Sequence, residues 1–135
     1  MKAKITLITP PDFFENENIS LLFIHLQDQD QLKVSEWFGR SDIDKNINVY
    51  FYNDEPATEW LLHAVNRCDM KLIDLDHTNK ITSILAGHLL AKTNFYYKTE
   101  DETTSQICQH LNNNKITNIE DFLEKAFNGK ARSET

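Results

Sequence analysis

The chain alternates between two hydrophobic patterns. Short apolar runs recur at KITLITP, ISLLFIHL, NINVYFYN, MKLIDL and NFYYK, and longer stretches with apolar residues every three or four positions lie among them. The first pattern suits strands covered on both sides; the second suits amphipathic helices. Strands are therefore expected near 4–9, 20–26, 47–53, 70–75 and 94–98. A helix is expected over 29–41, with Leu32, Val34, Trp37 and Phe38 apolar and Gly39 near its end. A second opens at Asp54-Glu55-Pro56 and carries Ala57, Leu61, Ala64, Val65 and Cys68. A third, from Thr78 to Thr93, shows Ile81, Ile84, Leu85, His88 and Leu89 on one face, and two more cover 104–111 and 118–127. The expected core includes Leu22, Ile24, Val49, Phe51, Leu72, Ile73, Ile84 and Leu85.

Strands and helices alternating at this spacing predict βαβ units. The expected fold is α/β: a three-layer Rossmann-like or flavodoxin-like domain, with a mostly parallel sheet of about five strands and helices on both faces. The first strand is the exception. Pro10-Pro11 ends it, and only about ten residues precede the second strand, too few for a helical crossover. It should pair antiparallel or lie at an edge. Residues 1–130 are expected to form one domain, and the polar 131–135 a tail that frays.

Composition narrows the function more than the fold. The 135 residues are 40% hydrophobic, enough for one core and too apolar for a disordered chain. A net charge of −7 without any cluster of Lys and Arg argues against a nucleic-acid partner, which needs a basic stripe. No apolar run approaches the roughly 20 residues of a membrane span, so no membrane partner is expected. MKAKITL enters a strand pattern directly and does not read as a signal peptide. Cys68 and Cys108 form no C-x-x-C pair and are expected as free, half-buried thiols in a reducing compartment. The expectation is a soluble, cytoplasmic protein.

The candidate chemistry is acidic. Parallel strands all end on one side of their sheet, where ligands bind. Those ends carry Asp28 and Asp30, Asp54 and Glu55, then Asp74, Asp76 and His77. Converging carboxylates would suit a hard cation or acid–base work. Yet Asp also caps helices, and each acidic pair stands where a helix should begin. Capping alone predicts this distribution, so no metal and no cofactor is assigned. The five histidines lack metal-binding spacing. His25 and His88 read as core or boundary residues, His63 as a surface partner of Glu59, and His77 as the functional candidate beside Asp76. No G-x-G-x-x-G, Walker loop or G-x-S-x-G is present. Gly87, with Ala86 and Ala91, reads as a site of close helix packing.

Two resemblances extend this reading. AVNRCDMKLIDLDHTNKITSILAG (64–87) resembles a segment of nucleoside deoxyribosyltransferase-like Rossmannoid domains. In that family a nucleophilic Glu stands two residues before a Gly. With Gly87 as the anchor, that position is Leu85, and the Gly-Thr that opens the family's helix is missing. The resemblance implies the fold without the catalysis. KITLITPPDFFENENIS and LAGHLLAKTNFYYKT are similar to uncharacterised small proteins of large tailed phages, especially those of cyanobacteria. That similarity implies a viral accessory role in the host cytoplasm. The expected function is a non-catalytic interaction or accessory module that binds another protein or itself. The alternative is a nucleotide- or nucleoside-binding enzyme using Asp28, Asp54, Asp74 and His77. A divalent-metal phosphotransfer or nuclease site ranks third.

Overall fold

The structure, a computed structural model, describes residues 4–7, 19–41, 46–52, 58–112 and 114–128. Five strands, β1 (Lys4–Leu7), β2 (Ile19–Ile24), β3 (Asn46–Tyr52), β4 (Met70–Asp74) and β5 (Phe95–Lys98), form one sheet in the order β1-β3-β2-β4-β5. Every pairing is parallel. β1 does lie at an edge, but it runs parallel to β3, so the antiparallel option is corrected. Beyond β5, Lys115 makes a parallel bridge to Tyr97, with the Ile116 N–H donating to the Tyr97 carbonyl at 2.9 Å.

Among the described residues five helices cover the sheet: α1 (Asp28–Arg40), α2 (Thr58–Arg67), α3 (Lys80–Leu89), α4 (Glu102–Leu111) and α5 (Ile119–Leu123). The alternation of side chains along each strand divides the core. Leu22, Ile24, Tyr50, Tyr52, Ile73, Phe95 and Tyr97 meet α2, α3 and α4. Leu21, Phe23, Ile47, Val49 and Leu72 meet α1 and α5 on the other face. Right-handed crossovers require this: β2 to β3 moves one way along the sheet, and β3 to β4 to β5 moves back. The reversal leaves a topological switch point between β2 and β4, where the carboxyl ends of the two strands diverge.

Three expectations about side chains fail. Leu32 of α1 and Ile84 of α3 point to solvent, whereas Leu85 and Phe51 are half-buried and do pack against the core. In α3 the residues that face the sheet are Thr82, Ala86 and Leu89. The turn of the helix is therefore set by a small polar and a small apolar residue, and the two isoleucines are left outside. His88 is exposed as well. Gly87 is the third correction: a Cβ there would meet nothing within 4 Å. Among the described residues no close packing requires glycine at that position. Gly87→Ala should accordingly stabilise the fold by about 0.5–1 kcal/mol, because alanine restricts the unfolded backbone and suits a helix interior better. Thermal unfolding of the variant checks this.

Candidate functional site

The carboxyl end of β4 and the turn after it give Asp74 and Asp76 different roles. Asp74, the last strand residue, is 1% exposed. Its Oδ1 accepts from the Asp76 N–H at 3.1 Å and caps a short 3-10 turn, Leu75–His77. Its Oδ2 lies 3.0 Å from Nδ1 of the half-exposed His77. That contact has the distance of an ion pair, but it lacks the alignment of a hydrogen bond. Asp76 points the other way. Its Oδ1 accepts from the Thr99 hydroxyl and its Oδ2 from the Glu100 N–H at 2.7 Å, clamping the loop that follows β5.

Neither aspartate caps α3. Asn79 does so, in a reciprocal box with Thr82: the Thr82 N–H donates to Asn79 Oδ1 at 2.9 Å, and the Asn79 N–H donates back to the Thr82 hydroxyl at 3.0 Å. Asp101 caps α4, and the hydroxyl and backbone N–H of Thr104 hold its carboxyl below the usual aspartate range. Asn118 caps α5. Capping by aspartate is thus right in kind and wrong in place. Asp28 follows the N-cap Gln27, which makes no side-chain cap bond, and stands exposed in the first turn of α1. Asp30 lies 3.7 Å from Lys33 and from Lys98, the residue that pairs with Asp74 across the sheet. Asp54 and Glu55 lie outside the described residues.

Asp74 thus caps its own turn, Asp76 clamps the loop after β5 and Asp30 faces two lysines, and among the described residues no three His, Cys, Asp or Glu side chains gather to hold a metal ion. Sequence reasoning missed Lys98, Thr99 and Glu100, the residues that take up the charge of Asp30 and Asp76. The signal for them was the register of β5 against β4, which sequence does not give. Asp76→Ala should cost about 1–3 kcal/mol, since it removes a charged acceptor from two donors. Asp28→Ala loses only a favourable place on the helix dipole, worth about 0.3–1 kcal/mol. Urea midpoints of the two variants should separate in that order.

One backbone feature at the switch point is unusual. His25, directly after β2, has φ of 60°, in the left-handed region that few residues other than glycine occupy, His being, with Asn and Asp, among those that do so most often. Its N–H donates to the Tyr52 carbonyl at 2.8 Å, and its ring stands edge-on to Tyr52 at 5.9 Å. The kink ends the ladder with β3 and turns the chain into α1.

No protein-family model matches the chain, and no curated protein matches it. Function must be argued from the molecule's own surfaces. Cysteine chemistry is disfavoured: both thiols are buried and free, and burial pushes Cys68 up from 9.0 to about 12. This stabilisation is fully present below pH 9 and is lost as the pH rises towards 12, because the unfolded thiol ionises first. Lys71, whose pKa burial lowers, works in the opposite sense, but only below 10.5. Urea midpoints should therefore fall steeply above about pH 10.5, and Cys68→Ala should flatten that limb.

The helices on the α2–α4 side carry the other notable surface. Ile81 and Ile84 of α3 and Ile107 and Leu111 of α4 are between 54% and 68% exposed, and Leu62 of α2 is 46% exposed. Spacings of three and four residues keep each pair on one side of its helix. Asn112 ties the two helix ends together: its amide donates to the carbonyls of Leu90 at 2.7 Å and Lys92 at 3.1 Å. The hydrophobic face that sequence periodicity assigns to the core in α3 is, in its isoleucines, a surface.

Proposed function

We propose that this chain is a non-catalytic interaction module that docks through its α2–α4 face. The observation that carries the reading is the set of exposed branched side chains, Ile81, Ile84, Ile107 and Leu111, on two helices of one layer. Single exposed apolar residues are ordinary; branched pairs repeated on two neighbouring helices mark an interaction surface. Asp30, Asp74 and Asp76, by contrast, have structural contacts, which favours binding by the helical face over chemistry at the crevice. An accessory role in a host cell is what the resemblance of KITLITPPDFFENENIS and LAGHLLAKTNFYYKT to phage proteins would imply, and it belongs to this proposal. Site-specific photo-cross-linking tests the proposal in cells that express the protein. Photoreactive side chains replacing Ile84 and Ile107 should give covalent adducts, whereas the same groups replacing Ser35 and Glu36, exposed on α1, should give none. Equal yields from both faces would remove the reading.

A second reading is supported by His25. Strained backbone gathers at binding sites, and this residue adjoins the switch point near the Asp74–His77 pair. On that reading the crevice binds a nucleotide or nucleoside. A rise in melting temperature with a nucleoside or nucleotide, abolished by His77→Ala, would favour it.

A further inference from the structure

α3 and α4 run side by side with an open groove between them. The steps from β4 to β5 and from β5 to Lys115 move the same way along the sheet, so right-handed crossovers make the two helices parallel neighbours. Thr82, Ala86 and Leu89 turn α3 onto the sheet, and Ser105 and Cys108 do the same for α4. At about 100° per residue, Ser83 and Gly87 lie roughly a quarter to a third of a turn from the buried line of α3, on the side of α4. Ile107 and Leu111 lie about as far round α4, on the side of α3. All four are exposed. One wall of the groove is thus small and the other branched and apolar, with the exposed Ile84 on the crest of α3. The open space over Gly87 lets a neighbouring backbone come close.

The two ends of the groove carry opposite charge. At the carboxyl edge of the sheet Glu100, Asp101 and Glu102 outnumber Lys80. The Glu100 N–H donates to Asp76, in the turn that leads to α3, which places this acid between the two helix starts. Towards the amino edge stand His88, Lys92 and His110, and no acid occurs from Asn79 to Lys98 or from Thr103 to Lys115. Asp69, at the same edge, accepts from the Ser20 N–H at 2.7 Å.

We infer that this groove takes an amphipathic helix of a partner protein, antiparallel to α3 and α4, acidic in its first turn and basic in its last. The inference rests on the docking reading above and names the partner's chemistry. Acids at the start and bases at the end complement a helix's own dipole, so this charge order suits the partner helix by itself. Laid antiparallel, it sets its acidic start against Lys92 and His110 and its basic end against Glu100 and Glu102. Laid parallel, it meets like charge at both ends. The antiparallel direction also opposes its dipole to those of α3 and α4. Apolar residues three and four positions apart on its inner side meet Ile84, Ile107 and Leu111, the mode by which helices bind in grooves. α3 and α4 have 10 residues each, so about three turns of partner helix fill the groove.

Two synthetic peptides test the inference on the full isotope-labelled chain. Both carry the same leucine stripe and the same composition, but one has glutamates first and lysines last and the other the reverse. The first should saturably shift the amide signals of Ser83, Gly87, Ile107 and Leu111 and bind roughly tenfold tighter than the second. Lys92→Glu combined with Glu100→Lys should invert that preference, which damage to the fold does not do. Gly87→Phe should abolish binding without lowering the melting temperature, since its side chain enters open space. Signals that stay in place, or equal binding of the two peptides, overturn the helix as occupant. The photo-cross-links separate that failure from failure of the docking reading. Adducts from positions 84 and 107, beside peptides that leave the groove untouched, remove the helix and keep the docking face. No adducts and no shifts remove both.

Discussion

Phe122→Ala should destabilise the protein by about 3–5 kcal/mol, the cost of emptying a fully buried aromatic site. Phe122 is inaccessible to solvent and packs edge-on against both Phe23 of β2 and Tyr96 of β5, each at 5.4 Å between ring centres. α5 has only five helical residues before the chain widens into a π turn, Glu124–Asn128. So short a helix has little stability of its own and depends on the burial of Ile119, Phe122 and Leu123. Phe127, in that π turn, stacks on Trp37 at 5.9 Å and meets Phe38 edge-on at 5.6 Å, which ties α5 to α1. Loss of Phe122 should therefore loosen the whole α1–α5 layer. The urea midpoint measures the effect, and Phe122→Leu, which keeps most of the volume, should recover much of it. A loss below about 1 kcal/mol would mean that α5 is not seated on the sheet.

The second large effect is expected at Asn112. Its amide donates to the carbonyls of Leu90, Lys92 and Phe95, and its Oδ1 accepts from the Asn114 N–H at 2.6 Å. Its own carbonyl accepts from the Tyr97 hydroxyl at 3.0 Å. One side chain thus joins the end of α3, the start of β5 and the segment that bridges to β5. Asn112→Ala should cost about 2–3 kcal/mol, since several part-buried acceptors lose their donor at once. Asn112→Asp should be no better, because it replaces the donating amide with a group that accepts. The consequence reaches function. Asn112 fixes the carboxyl ends of α3 and α4 relative to each other, so hydrogen exchange should quicken in both helices of the alanine variant before it does in α1. Uniform quickening would show that the two helix ends are held by something else.

The fold was largely legible because its signals are local. Apolar runs such as ISLLFI and MKLID leave little choice for the central strands, and the alternation with helices fixes parallel pairing and the two-faced sheet. What was not legible depends on rotation or register. The α3 stretch KITSILAGHL supports two apolar stripes, and periodicity favours the one through Ile81 and Ile84. The structure instead buries Thr82, which the capping box with Asn79 holds against the helix, and with it Ala86 and Leu89. A polar residue on the inward side is what the hydrophobic pattern cannot anticipate. The site residues failed for a related reason. Asp74 and Asp76 were rightly placed at a strand end. The partner of Asp76 lies 23 residues away in the loop after β5, however, and only the pairing of β4 with β5 brings the two together.

The central claim is that the helical face binds and the acidic strand ends hold the fold. Amide NMR spectra of the isotope-labelled chain, recorded dilute in buffer and then in an extract of cells that express it, test both halves in one measurement. The account predicts that the signals of residues 81–88 and 103–111 shift or broaden in the extract while those of residues 25–28 and 74–78 stay in place. Shifts confined to 25–28 and 74–78, with the helical face unchanged, would contradict it.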